Sequence, residues 1–446
     1  MEAYRKMLRI ASVEGPAADN APYGPENRQA LDYALELCEG FGFSTKDLEG
    51  HAGYGQFGSG EKLIMSLGHL DVVPVGPGWK HQPFGAEIDG GYVYARGAVD
   101  DKGPTMASLW AMAAIRAIGG DGFGVRFRQV FGCDEESGFG CMERYVQTEE
   151  APTFGIAPDS GWPCYHAEKR ITDLLVVAPI PDGSMTLLKA EGGSRPNIVI
   201  DSFEARVRVS GPARSEVEDK LADAWDRNVT YAWEGDELGI FAIGKAAHGS
   251  RPFDGVSAAV RAFRFLRDIS PLDSFAFYDA LMEIGHPGGE GLGISGSDDI
   301  VGPLTSNLGV VTTSERGVEL LFNLRVPVKV EIDGLLERAR KSLADRPGGW
   351  SFSVERDSPG LYFPVDHPLV ATIVDVYAEE SGERREPGTM GGGTYARAVP
   401  NTVSVGTGWE GDGGAHETDE RLKVDHLYRM ARIYGRILLR LAEKAA

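Results

Sequence analysis

Three short apolar runs in the first 160 residues each end in acidic or imidazole side chains, and few folds accommodate that pattern. Lys62 to Leu67 stops at Gly68 and delivers His69 and Asp71. Val125 to Gly132 leads through Cys133 into Asp134, Glu135 and Glu136, and Thr153 to Ala157 ends in Pro158 and Asp159. Each run has the length of a strand and is punctuated by glycine or proline, which predicts buried strands. Residues two apart on a strand share a face, so His69 and Asp71 can point into one cavity. Helical stretches separate the runs: an apolar one from Thr105 to about Ile118, and a short one around Met142 to Gln147. Alternating strands and helices predict an α/β sheet whose ligands bind beyond the carboxyl ends of its strands. A further helix is expected from Glu26 to about Gly40, with Pro25 near its start.

From about Lys169 to Ser358 the pattern changes. Strands Ile171 to Val177 and Phe203 to Ser210 and the hairpin Gly309 to Arg325 come with two amphipathic helices, Val256 to Leu266 and Ile332 to Leu343. This predicts an antiparallel sheet with helices on one face. After Pro359 the first pattern returns: a helix from His367 to about Ser381, a turn at Gly391-Gly392-Gly393, a strand Thr402 to Val405 and a long helix Val424 to Lys444. At 446 residues the chain is too long for one ordinary core. The expected organisation is therefore one α/β domain in two parts, residues 1–168 and 359–446, interrupted by an α+β domain over 169–358.

The net charge of −21 argues against nucleic acid or an anionic membrane as partner, because phosphate binding needs a basic surface. No apolar run reaches membrane-spanning length, and Met1 to Lys6 lacks the features of a secretory signal, so cytoplasmic residence is expected. Cys38, Cys133, Cys141 and Cys164 show no C-x-x-C spacing and read as reduced thiols. Cys133 and Cys141 flank the acidic run, and the affinity of soft thiolates for zinc keeps thiol ligation open.

His69, Asp100, Glu136, Asp159 and a late histidine form a set able to hold two zinc-like cations. One bridging carboxylate, with an imidazole and a second carboxylate for each cation, gives near-tetrahedral sites with room for a shared water. Asp100 suits the bridge because its acidic run, Asp100-Asp101, is anionic and lies between Gly97 and Gly103. Of the neighbours Glu135 and Glu136, one can face a cation while the other takes the proton of the water. Asp71 can orient His69, since a ligating imidazole usually donates its other N–H to an oxygen.

At the level of motifs the chain resembles the M20 metallopeptidases, and within them the PepV-type dipeptidases. The resemblance rests on G-H-L-D-V-V-P at 68–74, G-W-K-H-Q-P-F at 78–84, R-G-A-V-D-D-K-G-P at 96–104 and G-C-D-E-E-S-G at 132–138. It continues through A-P-D-S-G-W-P at 157–163, H-G-S-R-P at 248–252 and G-G-G-T-Y-A-R at 391–397. It implies a zinc-exopeptidase-like catalytic domain with an inserted α+β lid domain. It also implies two divalent metal ions, zinc first and manganese second, on His69, Asp100 as bridge, Glu136, Asp159 and His416. Glu135 would be the general base and Asp71 the partner of His69, with a cis peptide between Asp100 and Asp101. In the lid, His248 and Asn197 would stabilise the oxyanion and Arg325 would bind the substrate's terminal carboxylate. Thr394, Tyr395 and Arg397 would line the substrate side. The enlarged lid implies a monomer. Near the last ligand the family more often carries an asparagine before the final glutamate, where this chain has Asp419-Glu420.

The implied activity is hydrolysis of dipeptides, with a small peptide as the only partner. An N-acyl amino-acid amidohydrolase of desuccinylase or deacetylase type would share the metal site, and a binding protein that has lost the chemistry is a third reading. His51, His81, His166, His286, His367 and His426 fall outside the motifs and are assigned packing or surface roles.

Overall fold

The structure is a computed structural model and describes residues 1–346 and 348–446. It divides into two compact units, Met1–His166 with Tyr362–Thr389 and Thr394–Ala446, and Ala167–Leu361 with Met390–Gly393.

The first unit is built on a mixed sheet. Its strands lie in the order Ser44–Asp47, Ala52–Gly58, Arg126–Gly132, Leu63–His69, Phe154–Ser160, Thr402–Gly406 and Cys164–Glu168. The four from Arg126–Gly132 to Thr402–Gly406 run parallel, and the flanking strands are antiparallel. Leu63–His69 is buried at every position, as a parallel strand covered on both faces must be. The helices Lys102–Gly119 and Val424–Ala445 pack together over the sheet, with Pro25–Gly40 and Pro368–Ser381 completing the layers. Lys102–Gly119 starts earlier than its apolar pattern suggests. Asp101 precedes it and accepts from Thr105 N (2.9 Å) and Thr105 Oγ1 (2.8 Å), and Pro104 is tolerated in a first turn. Phe154–Ser160 also runs past the expected end at Ala157. Its pairing with Leu63–His69 stops at Ile156, so the missing N–H of Pro158 breaks no ladder bond on that side.

The second unit is a fully antiparallel sheet of eight strands. Ser202–Val209 alternates strictly between exposed and buried, the pattern of a sheet covered on one face. Among the described residues four α-helices accompany it where the periodicity predicts two: Arg214–Asp223, Ala258–Ile269, Leu272–Ile284 and Ile332–Ala344. Arg214–Asp223 buries only Val217 and Leu221, too sparse a stripe to read, and Leu272–Ile284 is apolar around much of its circumference. Met390–Gly393 belong with this unit and not with the C-terminal part of the first. Lys169 N donates to Met390 O (3.0 Å) and Arg325 Nη1 to Gly391 O (3.1 Å). No helix among the described residues is long and apolar enough to cross a membrane.

Candidate metal centre

Parallel register brings the polar groups of the first unit together. His69 pairs with Gly132, and Ser66 with Ile156, so the three strands end side by side. His69, the 135–136 pair and Asp159 therefore meet at one edge, beyond or at the carboxyl ends of their strands. Asp100 arrives on the loop before helix Lys102–Gly119, and the Asp100–Asp101 peptide is cis. Two glycines permit the approach. A Cβ on Gly68 would fall 1.9 Å from Thr105 Oγ1, and one on Gly132 would fall 2.5 Å from the Tyr395 ring.

His69 Nε2 lies 3.0 Å from Asp100 Oδ1, while its Nδ1 faces Asp71, 3.0 Å from the main-chain oxygen and 3.5 Å from Oδ1. The shorter contact of Nδ1 is thus with the Asp71 carbonyl. The Asp71 carboxylate accepts instead from Glu136 N (3.0 Å), tying the first strand end to the acidic run. His416, with φ +66°, sets its Nε2 3.1 Å from Asp100 Oδ2 and 3.0 Å from Glu136 Oε1. Donor atoms close enough to share a cation form three sets: His69, Asp100, Asp159; Asp100, Glu136, His416; and His69, Glu135, Glu136. Asp100 belongs to two of them. None includes a thiol among the described residues, and burial raises the pKa of both Cys133 and Cys141, which disfavours thiolate ligands.

Five carboxylates, those of Asp71, Asp100, Glu135, Glu136 and Asp159, crowd around two imidazoles. Burial opposes a charged His69, yet Asp100 and Asp71 raise its pKa well above the ordinary value. Hydrogen bonds to Asp100 and Glu136 raise His416 to about 10. Burial, then the nearby charge of Asp159, pushes Glu135 well up. Lys102 adds little fixed charge, because burial lowers it to about 7 while its Nζ donates to Ile10 O (2.6 Å). Imidazole and carboxylate donors in overlapping sets, with excess negative charge, fit divalent cations of zinc or manganese type.

A clasp around this centre escaped the sequence reading. Glu420 is fully buried. One carboxylate oxygen accepts from Arg96 Nη1 (2.7 Å) and Gly97 N (3.1 Å), the other from Val99 N (2.8 Å) and Asp100 N (3.2 Å). Arg96 also donates to the main-chain oxygens of His416 and Glu417 (both 3.3 Å), so one ion pair fixes the loops of Asp100 and His416 relative to each other. Asp419, φ +56°, accepts from Lys80 N (2.9 Å) and His81 N (3.1 Å). Neighbouring acidic residues in a loop carry no periodic signal, and the resemblance that marks Glu420 as the family's final glutamate gives it no partner.

Of the residues expected to line the substrate side, Tyr395 is 1% exposed and Thr394 2%. Tyr395 packs edge-on to His69, its hydroxyl 2.7 Å from Cys141 Sγ and accepting from Asp134 N (3.2 Å), and Thr394 accepts from Ala396 N (3.2 Å). Both side chains are thus packed within the first unit, and Arg397 is half-buried. In the second unit, an isolated bridge joins Ile198 to His248, and Gly249 N donates to Asn197 O (2.7 Å). His248 is exposed with Nδ1 2.7 Å from Ser250 Oγ. Arg325 is buried and donates to Asn323 Oδ1 (2.8 Å) and Gly391 O. Of the unassigned histidines, His51 meets the Tyr23 hydroxyl (3.0 Å) and His426 meets Asp412 (2.8 Å).

A parallel α/β sheet gathering imidazoles and carboxylates at one edge defines a class, that of proteins shaped for a cationic centre. Sequence comparison then identifies the family. Residues 65–440 match "Peptidase family M20/M25/M40", and the chain belongs to that family. It is 34% identical over 453 residues to "Putative dipeptidase YtjP" of Bacillus subtilis, covering 98% of this chain and 96% of that protein. It is 33% identical over 443 residues to "Putative dipeptidase SH1171" of Staphylococcus haemolyticus, covering 96% and 94%. Its fold is similar to human carnosine dipeptidase 1, at a TM-score of 0.57 and 13% identity over 99% of this chain and 95% of that one. It is equally similar to the M20 family metallo-carboxypeptidase Sso-CP2 of Sulfolobus solfataricus, at a TM-score of 0.57 and 16% identity over 99% and 98%.

Proposed function

We propose that this chain is a metal-dependent dipeptidase, hydrolysing the peptide bond of dipeptides in the cytoplasm as a monomer. The observation that carries the reading is the sharing of Asp100 between two donor sets, one completed by His69 and Asp159 and the other by Glu136 and His416. Those residues would hold two divalent cations, zinc first and manganese second, which when bound supply Lewis-acid polarisation and acidify water. Relatives named as dipeptidases over nearly the full chain support the substrate class. Four buried free cysteines support a reducing compartment.

Glu135 is the general base. It stands beside His69 and Glu136, so it takes a proton from the attacking water and returns it to the leaving amine. Asp71 orients His69 through its carbonyl and anchors Glu136 through its carboxylate. In the second unit, His248 and Asn197 act as oxyanion donors, and Arg325 grips the terminal carboxylate with a guanidinium already oriented by Asn323 and Gly391. Arg397 contributes to substrate binding. The test is a panel of unmodified dipeptides against N-succinyl and N-acetyl amino acids, run with zinc and manganese in turn. Dipeptides should be cleaved faster by an order of magnitude or more; preference for the acylated compounds would overturn the assignment.

A further inference from the structure

The second unit contains a cavity of about 260 Å³ that none of the roles above uses. One wall is a helical face: Ser257, Val260, Arg261 and Arg264, spaced so that they stack along one side of Ala258–Ile269. Opposite chemistry comes from the strand Thr305–Ser314, where Ser306 and Leu308 lie on the same face. Ser306 is 1% exposed, and no described residue hydrogen-bonds its hydroxyl. A buried hydroxyl in that state is a standing cost which a ligand oxygen removes.

The lining contains charges of both signs. Arg264 is exposed and makes no hydrogen bond or ion pair with a described residue, whereas Arg261 is engaged with Asp226 (3.1 Å). Phe253, 62% exposed, and Val256, 43% exposed, supply an apolar rim. Pockets for drug-sized ligands start at about 300 Å³, so this one suits a smaller molecule. A guanidinium with a buried hydroxyl matches a carboxylate, and the rim matches an apolar side chain; Asp226, which already meets Arg261 Nε (3.1 Å) and accepts from Asn228 N (2.9 Å), keeps carboxylate lone pairs for an ammonium.

The cavity also touches the segments assigned to oxyanion binding. Asn307 lines it and donates to Pro196 O (2.7 Å) and Ile198 O (3.0 Å), the carbonyls on either side of Asn197. Phe253 follows His248 by five residues. We propose that this cavity binds a free apolar α-amino acid, and that, given the dipeptidase reading, it lets a product of hydrolysis modulate turnover through Asn307 and the Asn197 segment.

The experiment is calorimetry of the metal-loaded protein with L-leucine, leucinamide and 4-methylpentanoate, on wild type, Arg264→Glu and Ser306→Val. Leucine should bind wild type at least tenfold more tightly than either analogue lacking one charge, and at least tenfold more tightly than it binds either variant. Dipeptide kcat without leucine should stay within twofold of wild type in both variants, and saturating leucine should move wild-type kcat to a plateau that the variants lack. Equal leucine affinity in all three proteins overturns the site. Purely competitive inhibition surviving in Arg264→Glu overturns the modulation. Wild type that binds leucine through Arg264 and Ser306 yet cleaves no dipeptide would leave the site standing and remove the dipeptidase reading, so the two failures are distinguishable.

Discussion

The two units place their chemistry-bearing side chains by different means. In the first, charged groups stand at or beyond the ends of parallel strands and are crowded together, His69, Asp100, Glu136 and His416 lying within 3.1 Å of one another in successive contacts. Such crowding is costly and needs many anchors, which Glu420, Arg96 and Asp71 supply. In the second, Arg325 is held by the neutral acceptors Asn323 Oδ1 and Gly391 O, and His248 and Asn197 sit on irregular segments joined by one bridge. A crowded, anchored anionic site suits cations and bond-making; a guanidinium oriented by Asn323 and Gly391 suits recognition. If this division is right, substitutions in the first unit act on metal content or kcat, and those at Arg325 in the second act on KM, while His248 and Asn197, as oxyanion donors, bear on kcat.

The largest effect tests the division most directly. Glu135→Ala should lower kcat by about 10²- to 10⁴-fold, the range for a lost general base, with metal content near two per chain. Asp100→Ala should instead bring metal content well below two by elemental analysis, because its carboxylate serves two donor sets. Full metal retention in Asp100→Ala, or loss of both ions in Glu135→Ala, would erase the distinction between base and ligand.

Glu420→Gln sits one layer further out. The glutamine keeps one oxygen for Val99 and Asp100 N–H but turns an NH₂ toward Arg96 and Gly97 N–H. Outer partners of metal ligands typically contribute 10- to 100-fold in affinity, so metal binding should weaken by about that factor. Asp419→Asn is the control: one oxygen accepts both Lys80 and His81 N–H, and asparagine retains an oxygen. Equal metal loss in the two variants would show that Glu420 has no special hold on the Asp100 loop.

How much of this was legible depended on locality. His69, Glu135, Glu136 and Asp159 follow apolar runs closely, so a strand pattern predicted their common edge from periodicity alone. Asp100 was read from its own acidic run between glycines, and His416 came through motif resemblance, since nothing local to residue 416 marks it. Glu420 stayed silent because its partners lie more than 300 residues away along the chain. The burial of Tyr395 leaves no local signal for another reason: it follows a run of three glycines, yet its ring packs against His69 and Gly132. The sparse helix Arg214–Asp223 and the nearly uniform Leu272–Ile284 lacked the amphipathic contrast that periodicity detects.

In the second unit, Arg325→Lys should raise KM for dipeptides by about tenfold, because a point charge replaces a planar fork that makes two directed bonds. kcat should change less. A matched fall in kcat with unchanged KM would move Arg325 from recognition into the chemical step and break the comparison between the units.

Tyr395→Phe should have the smallest effect on catalysis, and it sharpens the boundary of the metal centre. The hydroxyl contacts Cys141 Sγ and accepts from Asp134 N, while the ring alone packs on His69 at a centroid distance of 5.9 Å. Removing the oxygen leaves a buried N–H without its acceptor, a cost of about 1–3 kcal/mol, while the surface against His69 is unchanged. Thermal unfolding should therefore show a lower midpoint, with kcat and KM for dipeptides within twofold of wild type. A large fall in kcat with an unchanged midpoint would mean that the hydroxyl, buried as it is, takes part in the reaction, and the Tyr395 packing behind His69 would have to be counted with the chemistry it supports.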